Sequence, residues 1–196
     1  MLRLLRPALS LFAGFTLVLG LFYPLLVTAL AQAAFPWQAN GSLLAVAGRP
    51  VGSALIGQSF SAPRYFWGRP SATSPQPYNG LDSGGSDLGP TNPAELAAVK
   101  ARVEALRNTD PAEAGKPIPV DLVTASGSGL DPDISLAAAQ YQLVRVAQAR
   151  GLPPRVLQQL IDRYAHRPWF GLFGEPRVNV LALNLAVDGL RPVALP

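Results

Sequence analysis

The chain has 196 residues, 49% hydrophobic and 14% charged, with 20 prolines, 18 glycines, one histidine and no cysteine. The absence of cysteine excludes a disulfide framework, a thiolate nucleophile, a cysteine metal site and a lipobox anchor, and a lone His166 excludes a multi-histidine zinc site. The net charge of +4 is uneven: with Arg3 and Arg6 set aside, the 16 basic residues fall to 14 against 12 acidic ones. That balance offers no field for a polyanion, so nucleic acid is not an expected partner.

From Pro7 to Pro50 the only charge is Arg49, and Ala8 to Ala34 is almost wholly apolar. About 20 such residues cross a bilayer core as a helix. The sequence therefore predicts a cytoplasmic stub and transmembrane helix over 1–34 and a soluble domain over 35–196. Pro24 removes one helical N–H and predicts a kink. Tyr23 and Trp37 are candidate interfacial anchors, Trp37 the better placed of the two. A cleaved signal peptide is the rival reading, since Ala29-Leu30-Ala31 or Ala31-Gln32-Ala33 fits an A-x-A site. Its apolar core, however, exceeds the about 7–15 residues usual for a signal. Arg3 and Arg6 precede the apolar run and nothing basic follows before Arg49. The positive-inside rule then keeps the N-terminus cytoplasmic and puts the soluble domain outside.

Beyond the helix, SLLAVAG after the Asn40-Gly41 turn predicts a short strand, and Gly52 to Phe60 a second one. Pro63 to Pro93 has the composition of a linker, yet Tyr65, Phe66, Trp67 and Tyr78 make it too apolar for a solvated spacer. It is expected to be an ordered loop folded back on the domain. Asn92 as N-cap, Pro93 and Glu95 predict a helix to about Arg107. Ile118 to Ser126 reads as a strand, Ser135 as the cap of a helix ending at Arg150-Gly151, and Pro154 as the start of a third helix. The run VNVLALNLAV is apolar enough for a central strand. The expected fold class is α/β (or α+β) behind one transmembrane helix.

Little in this pattern carries chemistry. VTASGSGLDP has a layout that can present N–H groups to phosphate, but it lacks both G-x-x-x-x-G-K-[ST] and G-x-G-x-x-G. A tight turn using glycine's φ range is the stronger reading, and Ser83-Gly84-Gly85-Ser86 fits an exposed turn. No G-x-S-x-G is present for a serine hydrolase, and His166 reads as an exposed helix end rather than a base. Asp131 and Asp133 could act as paired carboxylates, though such a pair is more often helix-terminal. Gln140, Gln142, Gln148, Gln158 and Gln159 are expected mostly on solvated helix faces. A membrane-anchored or secreted envelope hydrolase using His166 or Asp131 is the alternative to a subunit without catalysis of its own.

Six segments, in order and over nearly the whole chain, carry a resemblance: GSALIGQSF, YFWGRPSA, YNGLDSGGSDLGPTNP, PVDLVTASGSGLDPDIS, AAAQYQLVRVAQARGL and GEPRVNVLALNLAVDGL. Together they resemble KdpC, the small single-span subunit of the Kdp potassium-transporting P-type ATPase of the bacterial cell membrane. The resemblance implies a non-catalytic accessory subunit needed for assembly and activity. Its partners would be a potassium-conducting, an ATP-hydrolysing and a small single-span subunit. It implies no cofactor of its own, ATP and potassium being handled by the complex. In the family view the subunit is a catalytic chaperone raising ATP affinity, with a glutamine of the AAxYQ segment as nucleotide contact; that position is Gln142. The charge asymmetry places Gln142 outside, away from cytoplasmic ATP, and so favours a domain stabilising the potassium-conducting subunit at the outer face. Asp87 stands where the family usually has asparagine and Asp133 where histidine is frequent, and both add negative charge.

Overall fold

The computed structural model describes residues 2–113, 115–168, 171–172 and 174–189, so the end of the 35–196 span lies outside the described residues. The chain divides into two compact units, Met1–Leu43 and Leu44–Pro196.

The first unit is helical: α1 (Leu2–Leu17), a π-helical segment (Val18–Phe22) and α2 (Tyr23–Ala34) follow one another directly, and α3 (Pro36–Ala39) comes after Phe35. Leu4–Ala34 is long and apolar enough to cross a membrane. Pro24 cannot donate to the carbonyl of Gly20 and its ring crowds that group. The helix meets this with the wider turn just before it, where the Tyr23 N–H donates to Val18 O, five residues back. The Trp37 indole N–H donates to Leu43 O at 3.0 Å, and Asn40 Nδ2 donates to Pro36 O at 2.6 Å.

The second unit opens with a hairpin of β1 (Leu43–Val46) and β2 (Arg49–Ser53). Ala47 and Gly48 between them have φ of 50° and 77°, as a type I′ turn requires. The strand expected over SLLAVAG is therefore present. The one expected over Gly52 to Phe60 is not, since pairing ends at Ser53 and a turn follows.

Two helices start at the side-chain caps that the sequence predicts. In α4 (Pro93–Thr109) the Asn92 side chain accepts from Ala94 N, and Pro93 occupies a first-turn site where no N–H is needed. In α5 (Leu136–Arg150) Ser135 Oγ accepts from Ala138 N at 3.0 Å, and Gly151 ends the helix with φ of 62°. Next comes α6 (Pro154–Tyr164), followed by β4 (Ala165–His166). With β3 (Asp133–Ser135) and β5 (Arg177–Asn179) it forms an antiparallel sheet in the order β3-β5-β4, pairing Ile134 with Val178 and His166 with Arg177.

Two strand expectations fail. Ile118 to Ser126 holds a 3-10 turn, Val120–Leu122, instead of a strand. Asp121 there accepts from both the N–H and the hydroxyl of Ser135, which ties the segment to the N-cap of α5 rather than to a neighbouring strand. VNVLALNLAV is a strand only as far as Asn179, whose side chain accepts from Ala182 N and starts α7 (Val180–Val187). Six consecutive residues of α7, Val180 to Leu185, are buried, so the run shows no period to tell it from a strand.

The core lies among α5, α6, α7 and the three-stranded sheet and includes Ile134, Val146, Leu157, Ile161, Val178 and Leu183. Phe66, from the long loop, is fully buried in it. One such side chain contributes roughly 1.5–3 kcal/mol, enough to keep the loop seated. The fold is thus mixed helix and sheet, with a folded-back loop packed onto α5 and α7.

Candidate functional site

Side chains of two helices in the second unit clamp two consecutive loop residues. Gln142, on α5, is 0% exposed. Its Oε1 accepts from Trp67 N at 2.8 Å, and its Nε2 donates to Trp67 O at 3.1 Å and to Ala138 O at 3.3 Å. Asn184, on α7, does the same one residue earlier: its Oδ1 accepts from Phe66 N at 2.8 Å and its Nδ2 donates to Phe66 O at 2.9 Å. Each amide stands in for a neighbouring strand, satisfying both backbone groups of a segment that has no sheet partner.

Arg145 completes the clamp one helical turn from Gln142. It is 4% exposed, donates to Gln142 Oε1 and to Pro63 O, both at 2.6 Å, and lies 4.3 Å over the Trp67 ring. Burial lowers its pKa to about 10, partly offset by Asp110. It therefore remains a cation at neutral pH, held by carbonyl and ring rather than by a direct carboxylate contact. Gln142 Oε1 accepts two bonds and Nε2 donates two, which fills the capacity of the amide. Among the glutamines, Gln140, Gln148 and Gln159 are exposed and Gln158 half-buried, as expected; Gln142 departs from that expectation.

A second layer lies further along the loop. Arg69 NH1 meets Asp131 Oδ2 at 3.0 Å, and the Tyr78 hydroxyl donates to Arg69 O at 2.6 Å. Burial first, and Asp131 second, push the Tyr78 pKa up to about 12, so it stays a neutral donor. Ser71 Oγ donates to Gly129 O at 2.7 Å and accepts from Tyr78 N at 2.9 Å. The two glycine-rich turns meet here. Gly84 N and Ser83 Oγ both donate to Ser128 O, and a Cβ on Gly129, where φ is +67°, would stand 2.6 Å from Gly84 O. Close backbone approach accounts for Gly129.

Asp133 Oδ2 accepts from Arg177 Nε at 2.8 Å and its Oδ1 from Asn179 Nδ2 at 3.2 Å. Its pKa is raised, chiefly by burial, with Asn179 and Arg177 opposing. Asp131 and Asp133 are thus each held by an arginine, and His166 is exposed on β4 across from Arg177. A cleft of about 510 Å³ opens beside Asp121, Asp131, Asp133 and Arg177, and one of about 310 Å³ beside Trp67, Tyr78 and Arg102. Arg69 lines both. Among the described residues no group of three His, Asp or Glu side chains could hold a metal ion. What this arrangement does chemically is grip backbone and fix loop shape. Sequence reasoning missed Asn184, Arg145 and Arg69; the available signal was a polar residue set inside an apolar helical run, as in LALNLAV and YQLVRVA.

The family model described as "KdpC: K+-transporting ATPase, c chain" matches residues 5–189. The chain belongs to the KdpC family. It is 62% identical over 192 residues to a protein of Methylibium petroleiphilum, covering 98% of this chain and all of that one. It is 60% identical over 196 residues to one of Polaromonas naphthalenivorans, covering both in full, and 62% identical over 191 residues to one of Sorangium cellulosum, covering 97% of this chain and all of that one. Each relative is named a potassium-transporting ATPase KdpC subunit. Three of the six KdpC segments supply most of the residues that hold these layers together. YFWGRPSA supplies Phe66, Trp67 and Arg69; AAAQYQLVRVAQARGL supplies Gln142 and Arg145; GEPRVNVLALNLAVDGL supplies Arg177, Asn179 and Asn184. The two departures noted for this KdpC sequence also find places: Asp133 in the bonds to Arg177 and Asn179, Asp87 in the left-handed region with φ of 53°.

Proposed function

We propose that this chain is the accessory c-chain subunit of a potassium-transporting P-type ATPase, without catalysis of its own. The observation that carries the reading is the family match over residues 5–189, with about 60% identity to whole KdpC subunits. The apolar helix ending at Ala34 anchors the chain in the bacterial cell membrane, and Arg3 and Arg6 hold its N-terminus in the cytoplasm. The soluble domain, 35–196, then lies outside and stabilises the potassium-conducting subunit at its outer face. The remaining partners are the ATP-hydrolysing and small single-span subunits. ATP and potassium are handled by the complex.

Gln142 acts in this reading as the clamp that shapes the loop. As a nucleotide contact it would first have to release Trp67, Ala138 and Arg145, to which its amide is bonded. Breaking those bonds inside the protein costs more than an amide gains from adenine or ribose. The test is deletion of 35–196 with the helix retained, in cells carrying the other subunits. Loss of the assembled complex and of potassium uptake supports the proposal. Persistence of assembly, uptake and ATPase activity contradicts it.

A further inference from the structure

The apolar helix holds a backbone acceptor that its own ladder cannot satisfy. In a regular helix the carbonyl of Leu19 would receive the Tyr23 N–H, and in a wider turn the N–H of the residue after it. The Tyr23 N–H is given to Val18 O instead, and the next residue, Pro24, has no N–H. Leu19 O is thus left without either donor. The neighbouring carbonyl of Gly20 loses its ordinary donor to the same proline.

Leu19 is the middle residue of the 31-residue span Leu4–Ala34. At that depth a bilayer offers no water, and acyl chains carry no donor, so a vacant acceptor there is costly. A side-chain donor on a neighbouring helix removes the cost. Gly20 leaves room for its approach, since nothing lies within 4 Å of a Cβ built there. A parallel second copy would bring its own Thr16 and Tyr23 nearest this depth, and Thr16 Oγ1 already donates to Phe12 O at 2.7 Å. Polar side chains in the middle of a bilayer are expensive and mark ion pathways. The neighbour whose chemistry requires them is the potassium-conducting subunit, the one on which the soluble domain is read above as resting.

We propose that Leu19 O is the point at which this helix docks on the potassium-conducting subunit, receiving a hydroxyl or amide hydrogen bond from one of that subunit's transmembrane helices beside Gly20. This rests on the subunit reading above and supplies its contact within the membrane. In the test the full chain is co-expressed with the other subunits and purified in mild detergent. A photo-crosslinking benzophenone side chain replaces Tyr23, one turn beyond Leu19, because helical side chains lean back towards the N-terminus. Pro24→Ala is purified alongside, with Leu30→Ala as a control on the same span. Alanine at position 24 restores an N–H and the regular ladder, so it strengthens the helix while closing Leu19 O to a partner. The proposal expects a cross-link to the potassium-conducting subunit. It also expects Pro24→Ala, with helicity by circular dichroism no lower than the parent's, to retain that subunit at least about 3-fold less well, and Leu30→Ala to retain it like the parent. Cross-linking only to lipid, to a second copy of this chain or to a different ATPase subunit would overturn it, whatever the variant does. Equal retention by Pro24→Ala would do the same. If the parent chain itself fails to co-purify with the ATPase subunits, the subunit reading is what has failed.

Discussion

Gln142 holds Trp67 by both of its backbone groups, accepting from its N–H at 2.8 Å and donating to its carbonyl at 3.1 Å. Asn184 holds Phe66 in the same way, so two helices that are distant in sequence read adjacent residues of one loop. A loop rich in proline, glycine and serine thereby acquires a fixed backbone without joining a sheet.

Gln142→Ala should leave the N–H of half-buried Trp67 without its partner and strip Arg145 of one of its two acceptors. The expected loss is about 2–4 kcal/mol of stability. Asn184→Ala should cost a similar amount. Because the two amides grip neighbouring residues, the double variant should lose less than the sum of the singles. Denaturant unfolding of the full chain in detergent, followed by tryptophan fluorescence, measures all three.

Gly129→Ala should be destabilising by about 1–3 kcal/mol, since an alanine there combines φ of +67° with a Cβ 2.6 Å from Gly84 O. Gly84→Ala is the contrast, because nothing lies within 4 Å of a Cβ built there. Thermal melts of the two variants should separate clearly.

Asp87 has φ of 53°, a conformation open to asparagine and aspartate but hostile to branched side chains. Asp87→Asn should change stability by no more than about 0.5 kcal/mol, whereas Asp87→Val should cost about 1–2 kcal/mol. Equal melting temperatures for the asparagine and valine variants would contradict this placement.

Asp110 is 3% exposed and its Oδ2 has no hydrogen-bond partner. Burial raises its pKa; Arg145 opposes the shift and Glu113 adds to it. A carboxyl that binds its proton more tightly when folded favours the folded state below the ordinary aspartate value. That contribution is lost as pH rises through the raised folded value. Across this window the parent should therefore lose more stability with rising pH than Asp110→Asn does. Parallel unfolding free energies for the two proteins between about pH 3 and 7 would contradict the assignment.

The helices were legible because their ends carry local signals. Asn92-Pro93, Ser135 and Gly151 act through bonds to residues within a few positions, so sequence alone places them. The strands were less legible because they are short and their partners distant. Ile118 to Ser126 has the β-branched composition of a strand, yet Asp121 turns back to bond Ser135. Val180 to Leu185 is apolar on every side, which fits a buried strand as well as a buried helix; only Asn179 marked the helix start. The clamp was illegible for a different reason. A glutamine on a helix has a solvated face as its ordinary place, and only the arrival of Trp67, 75 residues away in sequence, makes Gln142 a core residue. The ordered loop was foreseen from its aromatic residues, and Phe66 is what seats it in the core.

The central claim is that the soluble domain lies outside the membrane, bearing on the ion-conducting part of the complex rather than on cytoplasmic ATP. The absence of cysteine makes this directly measurable. Ser74→Cys, at an exposed position of the loop, would be probed in intact cells with a membrane-impermeant thiol reagent, beside cytoplasmic and external cysteine controls. The account predicts labelling from outside, at the level of the external control. Protection in intact cells, with labelling only after the membrane is opened, would contradict it and bring the domain to the side where ATP is bound.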